Sequence, residues 1–406
     1  MPEAVIVSAA RSPIGRAGKG SLKDVRPDDL TVQMVHAALA QVPELDPNDI
    51  DDLILGCGQP AGEAGNNLGR AVAVLAGLDG VPGVTVNRYC SSSLQTTRMA
   101  LHAIKAGEGD VFISAGVEAI SRSNLGGWAD TPQTWNPLVT AGPQARTAEF
   151  AAGGRVWSDP REQGLLPDLY IAMGQTAENV AQTRGISRED QDTFGVRSQN
   201  LTEKAIADGF WTRDITPVTL PDGTVVSADD GPRAGVTLEA VANLQPVFRP
   251  DGTVTAGNCC PLNDGAAALV IMSDVKARDL GLTPLARVVS TGVSGLSPEI
   301  MGLGPVEATK NALRIAGLSL SDIDLFEINE AFAAQVLGSA RELGIDEDRL
   351  NVNGGAIAVG HPFGMTGARI TSTLINSLQW HDKQFGVETM CVGGGQGMAM
   401  VLERLS

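Results

Sequence analysis

The sequence is short of positive charge, of aromatic residues and of long apolar runs. Lys and Arg number 30 against 47 Asp and Glu, which gives a net charge of −17 at pH 7. General binding to nucleic acid or to a membrane surface needs a surplus of cations, so this balance argues against both. No apolar run approaches the ~20 residues that span a bilayer. Any anionic substrate must therefore meet a local cluster of basic side chains.

Cysteine is also sparse, and its five positions form no regular pattern. An odd number at irregular spacing does not predict a disulfide framework, and the first residues, MPEAVIV, lack the basic region and apolar core of a signal peptide. We therefore expect a reducing, cytoplasmic setting. The adjacent Cys259 and Cys260 lack a second ligand pair at a suitable spacing, so no metal site is predicted.

Glycine, in contrast, is abundant, with 48 residues in 406, which is typical of an α/β protein with many tight turns. Two segments return later in the chain. Asp-Ile-Asp at 49–51 recurs at 322–324, which is 273 residues on, and Val-Asn at 86–87 recurs at 352–353, which is 266 residues on. Two different echoes in one order predict a duplicated α/β domain whose equivalent turns share a cleft, although chance similarity of short segments is the alternative.

The region between these repeated segments has a different composition, which is rich in Pro, Gly and Asp. Helices are predicted at 174–183 and 187–208, the second because Ser187 precedes Asp190 by three residues, as in a capping box. We predict three units. Residues 1–120 form the first half and are completed by 251–274, residues 121–250 form an inserted loop domain that covers the site, and residues 275–406 form the second half.

A cysteine lies in the stretch at 84–98, which reads VTVNRYCSSSLQTTR. Alternating Val84 and Val86 predict a strand, and apolar residues at helical spacing after Cys90 predict a helix. A thiol at a helix N-terminus faces unpaired N–H groups and the positive end of the dipole, which favour the thiolate. The pattern indicates a nucleophile, unless Cys90 is a buried cysteine that packs as a small hydrophobic residue.

Three later stretches also place reactive side chains at turns. Asn329 opens the run NEAFA, His361 lies in a glycine-rich run at 354–367, and Cys391 opens CVGGGQG. Each is a weak signal alone, because a single histidine is more often structural and glycines also serve tight turns. A nucleotide-binding loop is not supported at Cys391 or in the glycine-rich loop at 11–21, where the motif spacing fails.

Together these stretches resemble the thiolases, the family of 3-ketoacyl-CoA thiolases and acetyl-CoA acetyltransferases. The resemblance runs from VIVSAARSPIG at 5–15 to Gly397, with the Cys90 turn, NEAF, GHP and CVGGGQG in family order. It implies a duplicated, five-layered α-β-α-β-α fold with an inserted loop domain, and reversible CoA-dependent thiolytic cleavage of a 3-ketoacyl-CoA. Coenzyme A would be a co-substrate without any tightly bound cofactor, acyl-CoA would be the other partner, and the chain would form a homodimer or homotetramer.

The resemblance also implies roles for five residues. Cys90 would attack the keto carbon with His361 as its base, and His361 and a water positioned by Asn329 would hold the departing acetyl-CoA enolate. Cys391 would protonate that enolate, and the N–H groups of Cys90 and Gly393 would face the oxyanion when CoA removes the acyl group. These residues supply the nucleophile, the oxyanion sites and the acid that the reaction needs.

Further roles follow from the same resemblance. Arg233 would lie beside the adenine of CoA, Phe248 against the pantetheine, Met173 near the acyl end, and Cys260 where many members have a serine that touches the CoA amide. Glu330 is predicted either to organise His361 or to be a plain carboxylate at the end of a strand.

Other functions remain open at this point. A biosynthetic, acetoacetyl-CoA-forming acetyltransferase is one, although Ala172, where some short-chain acetyltransferases have His, favours a larger substrate. A ketoacyl synthase would use a cysteine with two histidines, and Cys391 in its glycine-rich turn, with only four histidines in the chain, argues against it. A non-catalytic acyl-CoA-binding relative is disfavoured because Cys90, His361, Asn329 and Cys391 are all present.

Overall fold

The structure is a computed structural model of the chain, and it describes residues 1–123, 134–153 and 156–406. Positions 124–133 and 154–155, which belong to the predicted inserted domain, lie outside the described residues. Within the described ranges, no helix combines the length and apolar character needed to cross a membrane.

The strands are β1 (Ala4–Arg11), β2 (Gly15–Arg16), β3 (Asp52–Cys57), β4 (Gly83–Val86), β5 (Val111–Ala119), β6 (Val218–Thr219), β7 (Val225–Val226), β8 (Asn263–Ser273), β9 (Ala286–Gly295), β10 (Leu325–Ile328), β11 (Phe385–Val392) and β12 (Gln396–Arg404). The α-helices are α1 (Pro27–Leu39), α2 (Leu68–Leu75), α3 (Ser92–Ala106), α4 (Ala141–Ala151), α5 (Met173–Arg184), α6 (Arg188–Ala207), α7 (Phe210–Asp214), α8 (Leu238–Ala242), α9 (Asp274–Asp279), α10 (Gly304–Ala316), α11 (Ala333–Leu343), α12 (Ala356–Val359) and α13 (Thr366–Trp380).

The sheet follows the order β10-β11-β12-β9-β1-β8-β5-β3-β4, and β2 pairs with β8 at its side. Its two halves meet where β1 pairs antiparallel with β9. From that junction outward each half repeats the same directions: two antiparallel pairings and then a parallel one, β5 with β3 in one half and β11 with β10 in the other. The parallel β3–β4 pair has its counterpart in a parallel bridge from Phe326 to Leu350. The predicted duplication is confirmed.

The repeated Asp-Ile-Asp segments have the same structural role in both halves. Asp51 accepts hydrogen bonds through Oδ2 from two backbone N–H groups at the start of β5, at 2.7 and 2.9 Å. Asp324 accepts through Oδ2 from two N–H groups at the start of β11, at 3.0 and 2.9 Å. Each carboxylate therefore satisfies backbone donors at a strand end.

The helices make three layers around the sheet halves. Apolar side chains of α1 and α2 form one outer core with the first half, and those of α10 and α11 form the other with the second half. The central core joins α3 and α13 to both halves. Strand β8 shows why the layers form: Leu269 and Ile271 face the central core, while Val270 and Met272 face the outer one. A strand buried on both faces is apolar throughout, because successive side chains point in opposite directions.

The chain between β5 and β8 carries α4 to α8 and the β6–β7 hairpin. The predicted helix start is confirmed here, since α6 begins at Arg188 with Ser187 as N-cap and a reciprocal capping box to Asp190. The boundaries proposed for the three units stay a prediction.

Close contact between α3 and α13 requires a residue without a side chain. A Cβ at Gly367 would overlap the backbone nitrogen of Leu94 in α3. We expect Gly367→Ala to lower the thermal unfolding midpoint and to cost about 2 kcal/mol or more of stability, because backbone cannot yield to the added methyl group.

Gly142→Ala is the matched control for this prediction, because a Cβ at Gly142 in α4 has nothing within 4 Å. We expect that change to leave the midpoint the same or raise it slightly, since Ala is the better helix former. Differential scanning calorimetry of both variants makes the comparison, and equal midpoints would contradict the proposed contact.

Candidate active site

Cys90 lies in the turn between β4 and α3, as predicted. Tyr89 before it has a φ of +46°, a left-handed conformation that is strained for a bulky residue. Two hydrogen bonds hold the turn: the Tyr89 N–H donates to Asn87 Oδ1 at 2.7 Å, and the Ser92 hydroxyl donates to the Tyr89 carbonyl at 2.6 Å. The turn therefore fixes the direction in which the Cys90 side chain leaves the backbone.

Burial raises the pKa of the Cys90 thiol to about 12, which is the opposite direction from the one expected at a helix N-terminus. Burial is the largest cause, because it removes the water that would solvate the thiolate. The N–H of Gly393 lowers the pKa, the Glu118 carboxylate raises it, and the N–H of Cys90 itself lowers it slightly. Cys90 is a neutral thiol that needs a base.

Gly393 follows the end of β11 and supplies one of those two N–H groups. Its nearest neighbour for a Cβ would be the Tyr89 ring at 3.4 Å, an ordinary contact, so the glycine is not required there by space. Gly394 and Gly395 have φ of +75° and +80° and are the residues that the turn needs as glycines. The contribution of Gly393 is its backbone donor.

Cys391 lies in β11 opposite Gly397 of β12 and is fully buried. Its thiol belongs to an apolar cluster with Ala331 and Phe332. Burial raises the pKa of Cys391 well above its usual value, and proximity to Cys90 adds to the rise. A neutral thiol in this position can give a proton to a strong carbon base, and it resists ionisation otherwise.

Asn329 continues the line of β10, because its N–H donates to the Thr389 carbonyl of β11 at 3.0 Å. Its side-chain Nδ2 lies 3.3 Å from both ring nitrogens of His361. The backbone N–H of His361 donates to Asn263 Oδ1 at 2.9 Å, and Gly360 before it has a φ of +115° that only glycine adopts easily. Two halves of the chain thus fix the imidazole.

Thr366 decides which nitrogen of His361 carries the proton. The Thr366 hydroxyl donates to the Pro362 carbonyl at 2.7 Å, and the same oxygen lies 2.7 Å from His361 Nδ1. This arrangement favours the tautomer with the proton on Nδ1, which Thr366 Oγ1 then accepts. Nε2 carries no proton in that tautomer and can act as a base, with the Asn329 Nδ2 3.3 Å away.

The imidazole ring of His361 is neutral in the resting site. Burial lowers the pKa of His361 to about 3, and the nearby Arg369 guanidinium lowers it further. Because the imidazolium is disfavoured at rest, the bare nitrogen is available near neutral pH to take the Cys90 proton.

Several separate contacts link the predicted catalytic residues. Cys90 receives the N–H of Gly393, and Cys90 and Cys391 are close enough for a charge on one to shift the pKa of the other. Asn329 bonds to β11 two residues before Cys391 and also contacts His361. The Phe363 ring lies 5.3 Å from the His361 ring, edge to face, and also lines the cavity that holds Cys90.

That cavity has a volume of about 460 Å³, within the ~300–1,000 Å³ range of ligand pockets. Cys90 and Gly393 lie at one side of it, and Met173 lines it as predicted for the acyl end. The rest of its wall is largely apolar and aromatic, from Trp135, Leu169, Tyr170, Ile171 and Phe363. The Trp135 and Tyr170 rings stack with centroids 4.6 Å apart.

A second cavity of about 150 Å³ holds the residues predicted for the distal part of CoA. Arg233 and Arg16 line it together with Cys260. Two cationic side chains therefore lie where the anionic, distal part of CoA is predicted to bind. The Cys260 thiol also lies close enough to Cys90 and Cys391 for their charges to raise its pKa. Cys260 therefore stands between this cavity and the reactive thiols.

Phe248 packs against the apolar cluster that contains Cys391. Its ring packs edge to face on the Phe332 ring at 6.3 Å, and it fills the space above Gly174, where a Cβ would overlap it. Phe248 joins Met173 and Cys260 around the buried cluster that contains Cys391. Among the described residues, no group of three or more His, Cys, Asp or Glu side chains could hold a metal ion.

Glu330 contacts residues other than the His361 ring, which is the group that the sequence analysis considered as its partner. Its carboxylate accepts from the Ser198 hydroxyl at 2.6 Å, from Asn351 Nδ2 at 2.8 Å and from the Ile357 N–H at 3.0 Å. It therefore holds the glycine-rich loop in place before His361, and these partners do not include the imidazole.

Glu118 is a buried site residue that the sequence analysis did not single out. Its carboxylate accepts from the N–H groups of Gly58 at 2.9 Å, Gln59 at 3.1 Å and Gly364 at 2.8 Å, and so ties loops of both halves beneath Cys90. Burial raises the pKa of Glu118 to about 7 although these N–H groups oppose the rise. A glutamate inside an otherwise apolar strand was the signal that could have revealed it.

Comparisons with known proteins agree over the whole chain. Residues 4–275 match the family described as thiolase, N-terminal domain, and residues 282–404 match thiolase, C-terminal domain. The 3-ketoacyl-CoA thiolase of Bacillus subtilis is 46% identical, over 99% of this chain and 100% of that protein. The 3-oxoadipyl-CoA/3-oxo-5,6-dehydrosuberyl-CoA thiolase of Escherichia coli is 45% identical, over 100% of both. The human mitochondrial 3-ketoacyl-CoA thiolase, solved in complex with CoA, has a TM-score of 0.86 at 35% identity and covers 99% of this chain and 98% of its own.

The proton arrangement at His361 gives a testable prediction. Thr366→Val removes the acceptor for Nδ1–H, so we expect kcat for thiolysis to fall by ~10–100-fold, the usual effect of losing a partner that orients a histidine. Thr366→Ser keeps the hydroxyl and is the matched control, with at least half of the wild-type kcat expected. Equal losses in the two variants would show that packing of the methyl group, and not the hydrogen bond, matters.

Direct observation of the ring completes this test. The chain has four histidines, so ¹³C- and ¹⁵N-labelled histidine gives few signals, and the His361 signal is the one lost in His361→Asn. We expect an Nδ1–H tautomer that does not titrate between pH 5 and 8, because burial keeps the folded pKa below that window. An Nε2–H tautomer would refute the assignment of Nε2 as the base.

Proposed function

This chain belongs to the thiolase family and catalyses CoA-dependent thiolytic cleavage of a 3-ketoacyl-CoA to acyl-CoA and acetyl-CoA, and from that premise we propose that Cys90 carries the acyl group. The observation that supports this assignment best is the place of Cys90 in the turn before α3, where the N–H of Gly393 is directed to its sulfur and Cys391 lies close by. The proposed site consists of Cys90, His361, Asn329, Cys391 and Gly393.

The first half of the reaction forms the acyl-enzyme. His361 Nε2 takes the proton of Cys90, and the thiolate adds to the keto carbon, C3, of the substrate. The bond between C2 and C3 then breaks and its electron pair leaves with acetyl-CoA as an enolate. The Nδ2 of Asn329, through a water, and the imidazolium of His361 stabilise the enolate oxygen.

Cys391 then gives its proton to C2 of the enolate, which yields acetyl-CoA and a Cys391 thiolate. Its high pKa suits this step, since the thiol stays protonated until a strong carbon base forms nearby. In the synthetic direction the same sulfur removes the α-proton of acetyl-CoA.

The second half transfers the acyl group to CoA. The CoA thiol gives its proton to the Cys391 thiolate left by the first half and attacks the thioester carbon on Cys90. The oxyanion that forms faces the N–H groups of Cys90 and Gly393, which already converge on the sulfur in the resting enzyme. Collapse releases acyl-CoA and the Cys90 thiolate, which recovers its proton from the His361 imidazolium.

The placement of CoA is also proposed. The cavity that Arg233 and Arg16 line suits the anionic distal part of CoA in a chain whose net charge is strongly negative. From there the pantetheine would pass Phe248 and Cys260 toward the two reactive thiols, because these side chains surround Cys391.

The acyl group is proposed to be larger than acetyl, which favours a degradative role in fatty-acid or related acyl-CoA metabolism over an acetoacetyl-CoA-forming one. Support comes from the apolar cavity beside Cys90, whose volume of about 460 Å³ exceeds the needs of a two-carbon group, and from the small Ala172, which precedes the cavity residue Met173 in the chain. A homodimer or homotetramer in the cytoplasm, and the three-unit division of the chain, are retained as proposals from the sequence.

Two cysteine variants test the chemical assignments. Cys90→Ala should abolish the acyl adduct seen by mass spectrometry after incubation with acetyl-CoA, whereas Cys57→Ala should retain it. Cys391→Ser should slow exchange of the acetyl-CoA α-proton by ~10²-fold or more while acylation of Cys90 changes little, because acylation does not use that proton. An adduct in Cys90→Ala would refute the nucleophile, and equal slowing of both steps would refute the acid/base role of Cys391.

The acyl cavity is tested by filling it. Leu169 lines the cavity and is 39% exposed, so Leu169→Trp can project into the space without disturbing a core. We expect kcat/KM for 3-ketodecanoyl-CoA to fall by ~10-fold or more, the scale on which pockets discriminate chain length, with less than ~2-fold change for acetoacetyl-CoA. Leu138→Trp, at a 72% exposed position outside the cavity wall, is the control. Parallel losses for both substrates would place the acyl chain elsewhere.

A further inference from the structure

A buried arginine lies beneath the proposed site and has no part in the mechanism so far. Arg369 of α13 has a relative exposure of 0%, and its guanidinium reaches one residue of β10 and one that directly follows the strand. Nη1 lies 3.5 Å from Glu327 Oε1, and Nη2 lies 3.4 Å from Asn329 Oδ1. Glu327 and Asn329 are two positions apart along the strand direction and so share one face, which is why a single guanidinium reaches both.

Arg369 determines the orientation of the Asn329 amide. A guanidinium has only donors, so the atom of Asn329 that faces it must be the carbonyl oxygen. The NH₂ group is then directed to His361, where it lies 3.3 Å from the ring nitrogens. With the amide reversed, two donors would face each other in a dry interior, and the site would lose the donor that the enolate needs.

The positive charge of Arg369 acts on the same site. It adds to burial in lowering the pKa of His361, and at short range in a dry interior its field falls on the oxygen that becomes negative in the reaction. The Nε–H of Arg369 is buried and has no hydrogen-bond partner.

Glu388 could have cancelled that charge, since it lies directly opposite Glu327 in the β10–β11 ladder. The Thr371 hydroxyl donates to the Gly367 carbonyl at 2.8 Å and also lies 2.7 Å from Glu388 Oε1. That hydroxyl is also a donor to Glu388, and Glu388 Oε2 is buried without a hydrogen-bond partner. Burial is the largest cause that raises the pKa of Glu388 well above its usual value, and it disfavours a second carboxylate anion beside Arg369. Glu327 is the acidic side chain that contacts the Arg369 guanidinium.

Other ionisable groups nearby do not replace this cation. Cys90 and Cys391 are neutral thiols, and Glu118 and Glu330 are committed to backbone and side-chain donors of their own loops. Arg11 is engaged in buried ion pairs with Asp214 at 2.8 Å and Asp229 at 2.5 Å. Burial raises the pKa of Glu327 to about 8 even though Arg369 opposes the rise, so this pair is not a strongly neutralised one near pH 7.

We propose that Arg369 is a positioning residue of the thiolase reaction: it fixes the Asn329 amide with its NH₂ group toward His361, and its buried charge favours the enolate that forms there. The proposal rests on the proposed roles of Asn329 and His361. Its consequence is a division between the two halves of the reaction, because the enolate step uses Asn329 whereas acyl transfer between thiols uses the N–H groups of Cys90 and Gly393.

The test compares two exchange reactions in Arg369→Met and Arg369→Lys. Exchange of the acetyl-CoA α-proton reports the enolate step, and exchange of the acetyl group between acetyl-CoA and labelled CoA reports acyl transfer alone. We expect Arg369→Met to lower the first by ~10²-fold, the effect of losing an oxyanion donor, and the second by less than ~5-fold, with KM for acetyl-CoA within ~2-fold of wild type. Arg184→Met, at an exposed arginine of α5, is the matched control and should change neither.

Histidine NMR separates orientation from charge. Loss of the cation in Arg369→Met should raise the pKa of His361, whereas Arg369→Lys keeps the charge and should leave it unchanged while still slowing α-proton exchange, because the forked contact with Asn329 is gone. Equal loss of both exchange reactions in Arg369→Met, or an unchanged His361 pKa, would reduce Arg369 to a structural role and overturn the proposal.

Two isosteric variants keep the test decisive if Arg369→Met does not fold. Glu327→Gln removes the anchor of the guanidinium and should show the same selective loss of α-proton exchange. Glu388→Gln should leave both exchanges within ~2-fold of wild type, because Glu388 does not contact Asn329 or the Arg369 guanidinium; a large loss would contradict the assignment of Glu327 as the anchor of Arg369. Absence of acyl transfer in the wild-type protein would instead defeat the proposed function itself, so the two failures are distinguishable.

Discussion

Packing of α3 against α13 between the two sheet halves is the constraint on which the site depends. The two helices begin at Ser92 and Thr366, which are 274 residues apart, close to the 273-residue offset of the Asp-Ile-Asp echoes. Each is preceded by a turn that carries chemistry, with Cys90 before α3 and His361 before α13. Because backbone meets backbone at Leu94 and Gly367, the two turns are fixed relative to each other. Duplication of the fold thus creates a shared site from two sequence-distant loops.

Exclusion of water by burial sets the charge states of the reactive groups in the site. Burial keeps the thiols of Cys90 and Cys391 and the ring of His361 neutral in the resting enzyme, so charge forms only when substrate supplies the driving force. A dry site makes each fixed donor and each buried charge more effective than it would be in water. The same effect explains why Glu118 has a raised pKa while it still accepts three backbone hydrogen bonds.

Sequence reasoning predicted much of the fold because its signals are local or repeated. The strand, turn and helix around Cys90, the capping box of α6 and the duplicated order of strands all depend on periodicity, capping residues or echoes along the chain. It considered only the local helix N-terminus at Cys90, whereas the desolvation that raises the thiol pKa comes from tertiary surroundings. It also left the role of Glu330 undecided, and the partners that settle it, Ser198 and Asn351, lie 132 and 21 residues away.

The sequence by itself determined the family and the reaction, because four motifs in a fixed order specify a chemistry that few other arrangements share, and it supplied the candidates for the reactive side chains. Only the tertiary structure decided which groups are protonated and which way they point. The proton on His361 Nδ1 depends on Thr366, and the amide of Asn329 depends on Arg369. Proton positions and desolvation are properties of three-dimensional surroundings, so they become visible only when the chain has folded.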